Sequence, residues 1–214
     1  MGIAAGEVEE LFRDAGALQE GHFELASGRH APRYLEKFQV LQWPARTERL
    51  CAAIVERARG LDVRTMAGPT TGGIILAHEV ARQLGVRAVY AERREDGPGR
   101  VLRRGFRLEP GERVLVVDDI MSTGGSVEET IAAVQQAGGT VVGVAVLVDR
   151  SGGAKLAGGI PHFALWEVVM ESHEPASCPQ CAAGVPLRKP GTTPAPRAAT
   201  RGTGSAGAGR EPDR

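Results

Sequence analysis

Residues 113–126 read RVLVVDDIMSTGGS, and this stretch decides the fold. Residues 114–117 are apolar and mostly β-branched, which is typical of a strand buried on both faces in a parallel sheet. The strand ends at two carboxylates, Asp118 and Asp119, and a short loop rich in glycine and hydroxyl groups follows. The next segment, VEETIAAVQQAGG, has the apolar spacing of a helix. Because ligands of open α/β sheets bind at the carboxyl ends of the strands, this unit predicts a binding site.

The loop after this strand has the features of a phosphate-binding loop. Gly124 and Gly125 allow a ligand to approach the backbone closely, and Ser122, Thr123 and Ser126 supply hydroxyl donors. The following helix directs its free N–H groups and the positive end of its dipole into the loop. The preceding carboxylates would repel a phosphate, so they favour a ribose diol or Mg²⁺ beside it. A ribose 5-phosphate fits this combination, and the alternative is an ordinary strand-to-helix turn with a capping hydroxyl.

The segment VLVVDDIMSTGGS closely resembles the phosphoribosyl pyrophosphate (PRPP) signature of type I phosphoribosyltransferases. It differs from an ATP-binding P-loop, because no Gly-Lys-Ser/Thr follows a strand. The resemblance implies that the two carboxylates are catalytic, holding the ribose hydroxyls and offsetting positive charge at the ribose C1. It also implies Mg²⁺ as a cofactor that PRPP itself mainly holds, with no direct protein ligand. The implied PRPP-binding residues of this segment are Asp118, Asp119, Ile120, Met121, Ser122, Thr123, Gly124, Gly125 and Ser126.

Bulk properties point to a cytoplasmic protein. Lys plus Arg and Asp plus Glu number 26 each among 214 residues, so no global field attracts nucleic acid or a membrane. The apolar runs are far shorter than the roughly 20 residues of a membrane span, and the acidic N-terminal segment does not resemble a secretory signal. We expect one α/β domain over residues 1–188. Residues 189–214 lack apolar periodicity and are expected to be a disordered tail.

Residues 16–42 lie outside the parallel core and predict a small hood. Phe23 and Tyr34 fall in two short predicted strands, the second reaching Phe38, around a Ser27-Gly28 turn. The segment GHFELASGRHAPRYLE resembles the N-terminal part of orotate phosphoribosyltransferases, where such a turn and the aromatics after it help to enclose the pyrimidine base. The resemblance places Tyr34 in the orotate site.

A second predicted anion site lies at residues 68–73, GPTTGG, between a strand over residues 62–67 and the helix IILAHEVARQLG. An ordinary β–α turn is the alternative. By resemblance this is the pyrophosphate loop, in which Thr71 and Gly72 face the leaving group. Gly72 stands where some relatives have a lysine, so backbone N–H groups would provide the binding.

Residues 92–105 form a charged, glycine-containing segment that is either a solvated loop or an active-site lid. The resemblance favours a mobile basic lid that closes over the pyrophosphate and reaches the neighbouring site of a homodimer. Arg93 is the best match to the basic, catalytic residue at the base of this lid and would contact PRPP. Arg94 and Arg100 are weaker candidates.

Residues 140–148, TVVGVAVLV, form another apolar strand that ends at Asp149-Arg150-Ser151-Gly152. Arg150 therefore faces the same sheet edge as the PRPP loop. The motif resembles that of orotate phosphoribosyltransferases, which implies that Arg150 holds the orotate carboxylate or a ring carbonyl and that Ser122 also contacts the base. A structural salt bridge is the alternative role for Arg150.

The histidines and cysteines give weak signals. His22 and His30 are expected to be surface or turn residues, because neither has a visible acidic partner in the sequence. Cys178 and Cys181 supply two metal ligands where structural zinc takes four. With only His173 nearby, a reduced and structurally minor pair is favoured over a zinc half-site.

Strands near residues 62, 86, 114, 141 and 162 predict a five-stranded, mostly parallel sheet flanked by helices, the α/β fold of type I phosphoribosyltransferases. The resemblance implies a homodimeric orotate phosphoribosyltransferase, which makes orotidine 5′-monophosphate and pyrophosphate from PRPP and orotate in pyrimidine (UMP) biosynthesis. The alternatives are a type I phosphoribosyltransferase for another base and a non-enzymatic regulator that senses PRPP.

Overall fold

A computed structural model describes residues 2–190 of the chain. No helix within this range is long and apolar enough to cross a membrane. The helices are α1 (Ala5–Asp14), α2 (Phe38–Leu41), α3 (Pro44–Ala58), α4 (Gly72–Leu84), α5 (Gly125–Gln136) and α6 (Pro179–Ala182). The strands are β1 (Leu18–Glu24), β2 (His30–Leu35), β3 (Thr65–Pro69), β4 (Arg87–Arg93), β5 (Arg100–Leu102), β6 (Arg113–Met121), β7 (Thr140–Asp149) and β8 (His162–Glu167).

The central sheet confirms the predicted α/β fold with mostly parallel strands. Its strand order is β5-β4-β3-β6-β7-β8, and only β5 runs antiparallel to its neighbour. The sheet thus has six strands where the sequence predicted five. The additional strand comes from the charged segment, where Arg100 pairs with Arg93 across a hairpin.

Strand β6 is buried on both faces, as its apolar run predicted. Val114 and Val116 pack in the hydrophobic core that contains α5, whereas Leu115 and Val117 pack in the core that contains α1, α3 and α4. This alternation follows from the two-residue period of a strand. The sheet therefore has helices on both faces.

The candidate site lies where the strand order reverses. From β3 the chain proceeds outward to β4, and it later returns to β6 on the other side of β3. The loops that follow β3 and β6 therefore leave neighbouring strands at the same edge of the sheet. In open α/β sheets, such a switch point forms the ligand crevice.

The hood is a two-stranded antiparallel sheet of β1 and β2. Phe38 was expected in a short strand, but it begins α2, because the chain turns into a helix directly after Lys37. Lys189 and Pro190 were expected in a disordered tail. Instead they line a cavity beneath the hood, and Lys189 contacts Glu24 at 2.7 Å. The remainder of the predicted tail, residues 191–214, lies outside the described residues.

Candidate active site

The two carboxylates at the end of β6 lie on opposite faces of the strand. Asp118 continues the row of Val114 and Val116, and Asp119 continues the row of Leu115 and Val117. Both side chains are buried, with 5% of Asp118 and 3% of Asp119 exposed. The consecutive aspartates therefore have different neighbours, which the sequence pattern did not reveal.

Asp118 is held by hydrogen bonds on the α5 side of the sheet. Its Oδ1 accepts the backbone N–H of Asp119 at 2.8 Å, and its Oδ2 accepts the hydroxyl of Ser126 at 2.7 Å. The Ser126 hydroxyl, predicted to bind PRPP, is thus already donated to a carboxylate. Its contribution to phosphate binding would come from the backbone N–H in the first turn of α5.

Asp119 faces the hood and the loop after β3. Its Oδ1 accepts the backbone N–H of Ile120 at 2.7 Å and lies 3.1 Å from Nζ of Lys37. A side chain at position 72 would collide with this carboxylate, since a Cβ on Gly72 would lie 1.8 Å from Oδ2 of Asp119. Gly72 is therefore required so that the pyrophosphate loop and the acidic strand end can approach each other.

The buried carboxylates have raised pKa values. Burial, and then the charge of Asp119, raise the pKa of Asp118 to about 6, although hydrogen bonds from Ser126 and the Asp119 N–H oppose the shift. Burial also raises the pKa of Asp119, while Lys37 opposes that shift. Asp118 therefore takes up a proton in mildly acidic solution, and Asp119 holds a proton more readily than an exposed aspartate does.

The predicted phosphate loop presents an open helix terminus. Gly124 adopts a φ of 83° at the N-cap position of α5, and no side chain caps the helix there. Ser122, Thr123 and Gly125 are exposed. The first-turn N–H groups of α5 can therefore bind an anion together with these exposed residues.

The predicted pyrophosphate loop is closely packed. A Cβ on Gly68 would lie 2.1 Å from the carbonyl oxygen of Gly73, and a Cβ on Gly73 would lie 2.6 Å from Pro69. Thr71 is exposed at the N-cap of α4, where no side chain makes a capping hydrogen bond. The loop thus offers a second open helix N-terminus beside the first.

The arginines of the charged hairpin differ in their surroundings. Arg93 is exposed at the end of β4 and forms no ion pair among residues 2–190, so it can reach a ligand. Arg94 pairs with Asp96 at 2.8 Å. Arg100 is buried and donates to Oγ1 of Thr70 at 3.0 Å and to the carbonyl of Ala91 at 3.1 Å. Arg100, a weaker lid candidate, therefore anchors the pyrophosphate loop to the hairpin.

A cavity of about 450 Å³ lies between the hood and the end of β6. Tyr34, Arg150 and Ser122, the three predicted orotate-binding residues, all line it. Arg150 does not form the structural salt bridge considered as the alternative, since no carboxylate within residues 2–190 pairs with it. Its Nη1 lies 3.9 Å from Sδ of Met170. Burial, and then the charge of Glu36, raise the pKa of Tyr34, which keeps its hydroxyl protonated as a donor.

Four charged residues of this cavity were not predicted from the sequence. They are Glu24, Glu36, Lys37 and Lys189, and Lys37 lies beside Asp119. A lysine directly after the Tyr34-Leu35-Glu36 run was a local signal for Lys37. Lys189 had no local signal, because only the long-range packing of the C-terminal segment against the hood brings it there.

The comparisons with known proteins agree with this geometry. Residues 38–161 match the family model of the phosphoribosyl transferase domain. The chain thus contains a phosphoribosyltransferase domain, as the two anion loops and the acidic strand end already indicate.

Similar proteins of known name indicate which kind of phosphoribosyltransferase the chain resembles. The chain is 48% identical over 186 residues to the orotate phosphoribosyltransferase of Desulforamulus reducens, which covers 87% of this chain and 96% of the relative. It is 49% identical to that of Pelotomaculum thermopropionicum with the same coverage. The crystal structure of orotate phosphoribosyltransferase from Aeropyrum pernix superposes with a TM-score of 0.65 and 26% identity, over 75% of this chain and 93% of that one. The chain belongs to the orotate phosphoribosyltransferase family.

Proposed function

We propose that the protein is a cytoplasmic pentosyltransferase that transfers the ribose 5-phosphate of PRPP to orotate. The products are orotidine 5′-monophosphate and pyrophosphate, and the reaction is a step of pyrimidine (UMP) biosynthesis. One observation about the cavity under the hood supports orotate as the acceptor. Three cationic side chains line that cavity, and Arg150 alone among them has no carboxylate partner within residues 2–190.

The balance of charges in the cavity explains why Arg150 is available. Lys37 lies 3.1 Å from Asp119, and Lys189 lies 2.7 Å from Glu24. The guanidinium of Arg150 can instead form two parallel hydrogen bonds with a ligand carboxylate, the geometry that arginine favours. Orotate has such a carboxylate on its ring, whereas uracil, adenine and hypoxanthine do not.

The reaction needs positioning and electrostatic stabilisation, but no side-chain nucleophile. As pyrophosphate leaves, the ribose C1 becomes positively charged, and the ionised Asp118 and Asp119 offset this charge while accepting hydrogen bonds from the ribose hydroxyls. The N-termini of α5 and α4 bind the 5-phosphate and the pyrophosphate. Arg93, at the base of the hairpin, stabilises the departing pyrophosphate as a fixed cation.

Mg²⁺ fits this site as an ion that enters with PRPP. Both oxygens of Asp118 accept hydrogen bonds within the protein, and Oδ1 of Asp119 faces Lys37 and the Ile120 N–H. These carboxylates are therefore poorly arranged as direct metal ligands, and the oxygens of PRPP would provide the coordination. When bound, the ion neutralises charge on the leaving pyrophosphate.

We also propose a homodimer in which the hairpin of one subunit serves the partner's site. Apolar side chains near the start of α4 and around α2 are exposed, with 39% of Phe38, 54% of Trp43 and 37% of Ile75 accessible. These exposed side chains support a contact with a second copy of the chain.

Mixing two inactive variants tests this arrangement. In a mixed dimer of Arg93→Ala and Asp119→Asn chains, one of the two sites would combine an intact Asp119 with an intact Arg93. Random mixing should then restore about a quarter of the wild-type activity. Mixtures that stay as inactive as the separate variants, although exchange into mixed dimers is verified, would show that each site uses its own hairpin.

The activity itself is tested by mixing the protein with PRPP, Mg²⁺ and orotate and following the loss of orotate absorbance. Parallel reactions contain uracil, adenine or hypoxanthine, and one reaction omits Mg²⁺. Turnover with orotate only, and only with Mg²⁺, is expected. Turnover with another base would refute the Arg150 assignment, and tight PRPP binding without turnover on any base would favour a PRPP-sensing regulator.

A further inference from the structure

Two histidines of the hood and two cysteines at the start of α6 meet away from the predicted PRPP loops. One ligand atom from each of His22, His30, Cys178 and Cys181 can be chosen so that all four lie within 4.8 Å of one another. This finding corrects two expectations. The histidines are buried, with 1% and 6% of their surfaces exposed, and the cysteine pair has two further potential ligands.

The distances between these atoms match a tetrahedral metal site. Nε2 of His22 lies 3.1 Å from Nδ1 of His30, 3.4 Å from Sγ of Cys178 and 3.7 Å from Sγ of Cys181. Sγ of Cys181 lies 3.3 Å from Nδ1 of His30. Tetrahedral zinc, with bonds of about 2.05 Å to nitrogen and 2.3 Å to sulfur, separates N–N pairs by about 3.3 Å and N–S pairs by about 3.5 Å.

The protein around the cluster orients the first histidine as a ligand. Nδ1 of His22 lies 2.8 Å from the carbonyl oxygen of Val185, which can only accept a hydrogen bond. Nδ1 therefore holds the proton, and Nε2 presents its lone pair to the centre of the cluster. A carbonyl that fixes the tautomer of a histidine in this way is a common feature around metal ligands.

Local backbone structure brings each pair of ligands together. A register shift in β1 between Glu20 and Phe23 makes His22 and Phe23 consecutive buried residues, so the bulge redirects His22. His30 begins the paired strand β2. Cys178 and Cys181 are three residues apart at the start of α6, a spacing that places their side chains on one face of a helical turn.

Backbone hydrogen bonds hold the two halves of the cluster in register. The N–H of Arg188 donates to the carbonyl of His22, and the N–H of Glu24 donates to the carbonyl of Arg188, each at 2.8 Å. His30 and His173 exchange backbone hydrogen bonds at 2.9 and 2.8 Å. His173, the histidine expected nearest to the cysteines, thus contributes its backbone and is not part of the ligand group.

We propose that His22, His30, Cys178 and Cys181 bind one structural zinc ion that fastens the C-terminal segment, residues 172–190, to the hood. Two imidazoles and two thiolates suit zinc, and four protein ligands leave no open coordination position for catalysis. The segment that the ion fastens includes Lys189, which contacts Glu24 at the cavity. The site does not depend on the proposed transferase activity.

The metal content of the purified full-length chain tests the proposal. We expect about one zinc per chain, and after removal with a chelator one equivalent of Co²⁺ should give the visible d–d bands of tetrahedral cobalt with thiolate charge-transfer absorption. Cys181→Ser and Cys178→Ser should each lose the metal and these bands. Cys181 is exposed, so its variant should fold even if that of the buried Cys178 does not.

Matched variants separate the cluster from other residues of the same type. Cys51→Ala and His78→Ala change a cysteine and a histidine outside the cluster and should retain about one metal per chain. Proteolysis of the metal-free protein should cleave residues 172–190 faster than the metal-bound form, with the central sheet still intact. Three results would overturn the proposal. The wild-type chain could fail to bind stoichiometric zinc or cobalt, or both cysteine variants could retain the metal in full. The third is a Cys178–Cys181 disulfide in protein purified under reducing conditions.

Discussion

Replacing Gly72 with alanine should disable the site while leaving the fold intact. The Cβ of alanine would lie 1.8 Å from Oδ2 of Asp119 and 3.0 Å from its Cγ. Ordinary contacts of a Cβ begin near 3.4 Å, so the carboxylate must move by about 1.6 Å. That displacement affects the contacts of Asp119 with the Ile120 N–H at 2.7 Å and with Lys37 at 3.1 Å.

The expected loss of activity follows from how strongly the reaction rate depends on the position of the catalytic groups. A misplacement of about 1 Å at a catalytic group can cost about 10²-fold, so kcat/KM should fall by about 10²-fold, or about 2.7 kcal/mol. Stability should change little. Weakening the pair between the partly exposed Lys37 and the buried Asp119 costs about 1 kcal/mol, and the gain in helix propensity on replacing glycine at the start of α4 offsets part of it.

Steady-state kinetics with varied PRPP and orotate, together with thermal melting, check this prediction. Gly60→Ala is the matched control, because a Cβ there would meet nothing within 4 Å. Gly125→Ala is a second comparison within the PRPP loop, where the nearest atom, Oγ1 of Thr123, is 3.7 Å away in ordinary contact. If Gly72→Ala keeps kcat/KM within about threefold of the wild type, the position of the Asp119 carboxylate does not limit the reaction.

Two further predictions concern the base and the carboxylates. Arg150→Ala should raise the orotate KM by about 10²-fold and change the PRPP KM little. The orotate KM of Arg150→Lys should lie between those of the wild type and Arg150→Ala, because lysine keeps the charge but loses the paired hydrogen bonds. An unchanged orotate KM in Arg150→Ala would refute the base site. In a pH–rate profile, kcat/KM should fall below about pH 6 as Asp118 takes up a proton. Lys37→Ala should move this acid limb to higher pH because Lys37 lowers the pKa of both carboxyl groups, whereas replacing the exposed Lys155 with alanine should leave it in place.

The same pKa shifts predict opposite effects on activity and stability. A carboxyl group with a raised pKa holds its proton more tightly in the folded state than in the unfolded state. The contribution of Asp118 to the free energy of unfolding therefore increases as the pH falls from about 6 toward its ordinary value of 3.8. Loss of activity in this range, with a constant or rising melting temperature, would report protonation of the site and not unfolding.

Local sequence patterns predicted the central sheet and its two strand–glycine-loop–helix units because their determinants are neighbours in the chain. The β-branched run at residues 114–117 requires burial on both faces, and glycines after the strand permit the turn into α5. The short strand β5 was missed because Arg100 to Leu102 has no apolar alternation, and its pairing with β4 depends on the hairpin. The exposure of Arg93 and the burial of Arg100 likewise depend on how that hairpin packs.

The histidine–cysteine cluster was missed for a different reason. His22 and Cys178 are separated by 156 residues, and no local pattern relates them. A search for acidic partners of His22 and His30 could not succeed, because the partners of the histidines are a carbonyl oxygen and two thiols. Gly21, which adopts a φ of 154°, lies within the bulge that redirects His22, and a glycine inside a strand pattern is only a weak sequence signal for a bulge.

An ion pair between Lys37 and Asp119 links the hood to the acidic end of β6. Gly72 stands where some relatives have a lysine, and the Asp119 carboxylate occupies the space that any side chain at position 72 would need. Lys37, two residues after the end of β2, provides a cation beside Asp119. Since Lys37 also lines the cavity beneath the hood, a movement of the hood would change both the proposed base cavity and the pKa of Asp119. A variant that loosens the hood should therefore alter the acid limb of the pH–rate profile as well as the orotate KM, and a change in KM alone would show that the two halves act independently.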